Sequence, residues 1–222
     1  RCDIHGRLFD HWAKARQNAD RGSKLEFRVN PNTTYYDQPA VAMQPDGSYM
    51  VAWSNGSTGK TVVQVGSFLA DGRPNPSNAA LDALSDDTKV AQIPDIAAMD
   101  EKTYVVCWAQ ASGSGYEVLC RRLDANGTPI AGASGSSEAF SAIKVDPASA
   151  APNSVSVSVA AGPQGGFMVV WSEECQSTLT CRNYRGRIFN SQSKAFGAIV
   201  PISKPVTGAA TQDADVVGLA YG

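Results

Sequence analysis

The chain is poor in histidine, in charge and in long apolar runs, and each shortage removes a class of function. Its two histidines, His5 and His11, lie near one end, and no serine sits in a nucleophile-elbow pattern. A Ser-His-Asp hydrolytic triad is therefore not expected. Charged residues make up 18% of the 222 positions and the net charge is −2. That is no electrostatic footprint for nucleic acid or an anionic membrane surface. No apolar run approaches the roughly 20 residues that a membrane-spanning helix needs. Metal motifs are missing as well: there is no C-x-x-C, and "DDTK" (86–89) and "DADVV" (213–217) lack the spacing of a calcium loop. Neither a cofactor nor a metal is expected. Helical periodicity is weak; "HWAKARQNADRGSK" (11–24) could form a helical turn or two and reads equally well as a polar loop.

What the chain does have is repetition. The stretch "PAVAMQPDGSYMVAWSNGSTGKTVVQVGSFLADGRP" (39–74) has a near-double, "PDIAAMDEKTYVVCWAQASGSGYEVLCRRLDANGTP", at 94–129. With an offset of 55, Tyr49 meets Tyr104, Val51 meets Val106, Trp53 meets Trp108 and Gly72 meets Gly127. A third copy starts near Val155; Phe167 and Trp171 take the Tyr and Trp places and Ile188 takes the Phe68 place. Periods of this order indicate arrays, solenoids or propellers.

Each copy reads as β structure. "YMVAW", "YVVCW" and "FMVVW" are short runs of β-branched and aromatic residues between turn residues. "VVQVGSF", "EVLCRRL" and "YRGRIF" are return strands, followed by turn chemistry. A shorter first strand ("AVAM", "DIAAM", "VSVSV") and a fourth (80–84, 142–146, 198–202) complete the set. Four mostly buried strands per repeat suit a sheet packed on both faces. The fold class expected is all-β, a β-propeller-like array of four-stranded antiparallel blades with incomplete blades at both ends. The division reads as a half repeat at 1–30, repeats at 31–87, 88–146 and 147–205, and the start of another at 206–222. The opening Arg1-Cys2-Asp3, with neither Met nor an apolar signal core, fits a processed or excised chain.

The cysteines test the hairpin register. A turn centred on 112–115 places Cys107 opposite Cys120, where the first copy has Ala52 and Val65. A directly opposed pair is close enough for a disulfide. Cys175 and Cys181 would close a short loop at the tip of the third hairpin. Two such bridges favour an oxidising compartment. Cys2 is left unpaired, its partner upstream or on another chain.

Asn32, Asn55 and Asn126 head unblocked N-x-S/T sequons in expected loops, with Asn55 at a hairpin tip, so the three are glycosylation candidates. Glu26, Glu117, Glu138, Glu173 and Glu174 could supply a glycosidase pair, but nothing in the sequence pairs them. Asp46, Asp71 and Asp124 occupy turn positions, where a carboxylate caps its own backbone. Trp53, Trp108 and Trp171 end core strands and are read as blade core. Trp12 has no counterpart and, with Tyr35, Tyr36 and Tyr116, is a free aromatic of the kind that stacks on sugar rings.

The pattern P-x-V/I-A-x-x-x-D-G-x-Y/F-x-V-x-W, a Gly/Ser loop, then V-x-x-x-R-x-F/L-x-x-x-G runs from Gln38 to Phe189. It resembles the blade-like repeats of large secreted bacterial and protist surface proteins, which often accompany haemolysin-type and adhesin-like modules. The third copy departs from it, with "PQGGF" for "PDGSY". The resemblance implies an extracellular scaffold. The first reading is accordingly a non-enzymatic structural or adhesive component of a cell-surface or fibrous assembly. Its partners would be protein neighbours, through self-association or a longer chain, and glycans. A carbohydrate-binding propeller is the alternative, and it requires polar residues that recur between blades. The loops "SNGSTGK", "AQASGSG" and "SEECQSTLT" differ, so the sequence displays recurring core residues only. A fragment of a larger secreted enzyme is the third reading.

Overall fold

A computed structural model describes residues 3–16, 25–30, 35–57, 60–78, 84–113, 115–130, 143–145, 156–174, 181–203 and 206–207. Cys2, Asn32, Glu138, Cys175 and the segment 213–217 lie outside the described residues, as does the side chain of Cys181.

The molecule is an all-β array of propeller-like blades. A half-blade pairs β1 (His5–Arg7) with β2 (Glu26–Arg28). Blade 1 runs β3 (Tyr35–Met43), β4 (Tyr49–Ser57) and β5 (Lys60–Phe68) in that spatial order. Blade 2 follows with β6 (Ala91–Ala98), β7 (Tyr104–Ser112), β8 (Gly115–Leu123) and β9 (Ile143–Lys144). Blade 3 holds β10 (Val157–Ala161), β11 (Phe167–Glu174), β12 (Cys181–Phe189) and β13 (Ala195–Pro201), and β14 (Val206–Thr207) also pairs with β12. Val206 and Thr207 therefore belong to blade 3, and the sheet runs past the boundary expected at 205. All pairings are antiparallel.

Strand alternation explains why the blades stack. Successive side chains point to opposite faces, and here both faces are apolar. Tyr49, Val51 and Trp53 of β4 face the half-blade, packing on Ile4 and Phe27. Met50 and Ala52 face blade 2 and meet Tyr104, Val106 and Trp108. On the other side of β7, Val105, Cys107 and Ala109 meet Val159, Phe167, Val169 and Trp171 of blade 3. Trp53, Trp108 and Trp171 are 0%, 1% and 1% exposed, each set in the seam toward the preceding blade. Cys107 and Cys120 stand opposite each other in the β7–β8 ladder and form a disulfide.

Three details depart from the sequence reading. The first strand of blade 1 is not short; β3 has nine residues. Phe189, not Ile188, takes the Phe68 place, since Phe167 pairs with Phe189 as Tyr49 pairs with Phe68. Both aromatic pairs stack, with ring centroids 4.8 and 5.0 Å apart. Asn55 is not at a hairpin tip. It lies within β4, between Tyr36 and Val62, and the turn falls beyond Ser57.

Candidate functional site

Each blade is polarised along its strands. One end carries the pairs Tyr49–Phe68, Tyr104–Leu123 and Phe167–Phe189, the middle carries the tryptophan, and the far end turns polar. The register places Asn55, Gln110 and Glu173 at one shared position, two residues beyond each tryptophan. These are the recurring polar groups that the differing loops concealed. The signal was present as W-S-N, W-A-Q and W-S-E, masked by the varied chemistry of one amide after another and then a carboxylate.

The polar groups are held in place. Glu173 accepts from Trp171 Nε1 at 2.9 Å and from Arg185 Nε at 2.9 Å. Gln110 Oε1 accepts from Trp108 Nε1 at 3.4 Å and from the Asp86 backbone at 3.2 Å. Asn55 Nδ2 donates to Gln64 Oε1 at 2.8 Å. Ser54, Ser156 and Ser172 are buried beside this rim, with Ser156 Oγ donating to Ser172 Oγ at 2.9 Å. Gln110 and Glu173 are buried and Asn55 half-buried; polar groups satisfied by hydrogen bonds in this way are rigid and do not carry the cost of an orphaned group.

The innermost strands approach this rim through a shared irregularity. β3 bulges between Asp37 and Ala40, and β6 between Gln92 and Asp95. Inside the bulges Gln38 has φ 54° and Ile93 has φ 55°, left-handed values uncommon outside glycine and strained for a β-branched residue. Pro39 and Pro94 follow them. Proline cannot donate to the ladder, which is why the pairing breaks here. Side chains then stitch one inner strand to the next. Gln38 Oε1 accepts from Ile93 N at 2.8 Å, and Asp95 Oδ2 accepts from Val159 N at 2.8 Å and Ser158 Oγ at 3.0 Å. Strained residues of this kind gather where function overrides local preference.

The acids are distributed differently. Glu117 pairs with Lys144 at 3.0 Å and Glu26 with Arg7 at 2.7 Å. With Glu173 held by Arg185, each is bound to a cation of its own blade. Asp46, Asp71 and Asp124 accept from backbone N–H groups two residues on, in their own turns. Asp86 does the same for Thr88. Among the described residues no group of three His, Cys, Asp or Glu could hold a metal.

The two described sequon asparagines are both engaged. Asn126 sits half-buried in the seam between blades 1 and 2, where its Oδ1 accepts from Asn75 Nδ2 at 3.1 Å. Asn55 is half-buried as well. Of the free aromatics, Tyr116 is half-buried against the blade 2–blade 3 core, and Trp12 is 78% exposed on the half-blade turn.

No family model matches the chain, and no curated protein matches it. Solved structures do. An N-acetylgalactosamine deacetylase from F. plautii, in complex with blood group B trisaccharide, is 11% identical over 78% of this chain and 55% of its own, with a TM-score of 0.53. An endo-arabinase from Bacteroides thetaiotaomicron is 13% identical over 80% and 76%, at 0.47. The Penicillium chrysogenum alpha-L-arabinanase complexed with arabinobiose is 13% identical over 79% and 55%, at 0.49. The chain spans about half the length of the deacetylase. At these identities the likeness shows the fold. It also corrects the expectation of a non-enzymatic structural or adhesive scaffold: the deacetylase, an enzyme, shares this fold, so stacked repeats without a triad are no argument for a scaffold or against an enzyme.

Proposed function

We propose that the chain is a carbohydrate-binding propeller unit of a secreted protein, with its binding surface on the polar rim beyond the tryptophans. The observation that carries this reading is the recurrence of Asn55, Gln110 and Glu173 at one place in three successive blades, beside the bulged inner strands. Amide and hydroxyl groups fixed by neighbouring hydrogen bonds are what neutral sugars require of a site, since each hydroxyl both donates and accepts. The deacetylase of similar fold was solved in complex with blood group B trisaccharide, which supports a saccharide as the ligand class. The disulfide accords with an oxidising, secretory location.

A second reading, that the unit is part of a larger secreted carbohydrate-active enzyme, is favoured by one observation. The deacetylase is nearly twice as long as the part this chain covers.

A glycan array followed by calorimetry on the hits tests the first reading. The folded protein should bind a neutral oligosaccharide. Gln92→Ala, on the inner strand at the rim, should weaken that binding about tenfold, the loss of roughly one well-made hydrogen bond. A folded protein that binds no glycan on the array overturns the reading.

A further inference from the structure

The rim residues of the three blades do not spend their polar groups alike. In blades 1 and 3 each is tied to the third strand of its own blade. Asn55 Nδ2 donates to Gln64 Oε1 at 2.8 Å, and Glu173 Oε2 accepts from Arg185 Nε at 2.9 Å. Gln64 and Arg185 stand at one register position, directly across from Trp53 and Trp171. Blade 2 has Leu119 there, across from Trp108. Leu119 is buried in the apolar seam toward blade 1 and has no polar atom to offer Gln110.

The Gln110 amide is fixed by other means. Its Oε1 accepts from Trp108 Nε1 at 3.4 Å and from Asp86 N at 3.2 Å. An indole N–H and a backbone N–H donate and do not accept, so the amide oxygen faces both and the NH2 faces away. That NH2 donates to no group of the described residues. The carboxylate directly across the ladder, Glu117, is engaged by Lys144 at 3.0 Å instead. Gln110 is 4% exposed, yet its NH2 is not sealed from solvent in the way that the unpaired Nε of Arg121 is. A donor aimed by its own oxygen and open on one side gives up little freedom when an acceptor arrives. In so buried a place the bond it makes counts for more than it would in water.

The adjoining inner strand repeats the condition. Ala91 pairs with Gln110, and Gln92 comes next, on the other face of the blade. Gln92 is half-buried and bonded to no group of the described residues. Blade 2 thus keeps uncommitted amides at the polar end, where blades 1 and 3 tie their rim residue to the third strand.

We propose that Gln110 is the specificity-determining donor of the rim, its Nε2–H binding an acceptor oxygen of the saccharide at the seam between blades 1 and 2. The inference rests on the carbohydrate reading and adds which blade reads the sugar and what the sugar presents to it. The direction of the bond sets the ligand class. A hydroxyl, a ring oxygen or an amide carbonyl accepts from Nε2, whereas a protonated amino group offers only donors there and is rejected. A group placed to hydrogen-bond its ligand discriminates strongly against an analogue that leaves it unpaired.

Two variants remove the open donor by different routes, and calorimetry with the glycan that the wild-type protein binds reads both. Gln110→Glu keeps an oxygen for the Trp108 indole and the Asp86 N–H but puts a second acceptor where the donor was. It should bind at least about tenfold more weakly, while its near-UV dichroism and tryptophan fluorescence match the wild type. Leu119→Gln gives blade 2 the residue of blade 1, so the introduced amide accepts from Gln110 as Gln64 accepts from Asn55. It should weaken binding by a smaller factor, since it occupies one of the two N–H groups. Equal affinity of wild type and folded Gln110→Glu overturns the inference and leaves the carbohydrate reading standing. A folded wild-type protein that binds no glycan overturns both. Should Gln110→Glu not fold, Leu119→Gln decides by the same criterion.

Discussion

Blades 1 and 2 hold the same cross-strand address with different chemistry. Blade 1 pairs Ala52 with Val65 there, and blade 2 pairs Cys107 with Cys120 through a disulfide. All four side chains are buried, and each pair lies in the apolar core against the following blade. The seam is therefore sealed by compact apolar volume, and sulfur is one way of supplying it. What the covalent bond adds acts on the unfolded chain, by restricting its freedom.

The largest effect comes from removing what the two blades share. Trp53 and Trp108 are both buried at the seam toward the preceding blade, but Trp53 meets a two-stranded half-blade and Trp108 a three-stranded sheet. Trp108→Ala should cost about 3–5 kcal/mol, the usual price of emptying a site this large. Trp53→Ala should cost less, because its thinner neighbour can relax into the space. Urea unfolding of the two variants, followed by dichroism, measures both. Equal losses would mean that the half-blade packs as firmly as a full one.

Exchanging the shared address comes next. Cys107→Ala combined with Cys120→Val gives blade 2 the residues of blade 1. With the cysteines 13 positions apart, the lost cross-link should lower unfolding free energy by about 3 kcal/mol on the chain-entropy estimate. The folded seam should be unchanged, so near-UV dichroism should match the wild type. A loss of tertiary signal would show that the bond shapes the seam as well as constraining the unfolded chain.

The comparison also shows what could be read without coordinates. The disulfide register followed from one turn centre, because antiparallel pairing is determined once the hairpin tip is known. The seam position of the tryptophans followed from runs apolar on both faces. The bulges did not. Gln38 and Ile93 each precede a proline at the same repeat position, but a sequence pattern does not state that the strand continues through the break as a left-handed residue. The polar rim was missed for a different reason. Asn55, Gln110 and Glu173 share a register position, and Gln110 and Glu173 both accept from the indole N–H of their tryptophan, but the three differ in chemical type, so matching by residue identity passed over them.

The smallest effect concerns the charge that ties blade 1 to blade 2. Lys102 of blade 2 reaches Asp46 of blade 1 at 2.8 Å. Lys102, followed by Ser48, holds the Asp46 carboxyl well below the usual carboxylate range. Asp71 is lowered by the Arg73 backbone N–H, and Asp86 by the Thr88 hydroxyl. A carboxylate whose folded pKa lies below its unfolded value of about 4 stabilises the protein above that value, and the contribution disappears as pH falls through the folded pKa. Acidification below about pH 4 should therefore lower the melting temperature, with these three turns contributing. Asp46→Asn should melt slightly below the wild type near neutral pH, and the two curves should converge in acid, once the wild-type carboxyl is also uncharged. All three groups are exposed to solvent, so salt should shrink the difference too. A deficit that persisted undiminished in acid and in high salt would mean that the Asp46 turn is held by its hydrogen bonds to Ser48 alone, and that the two blades are joined by their apolar seam without help from charge.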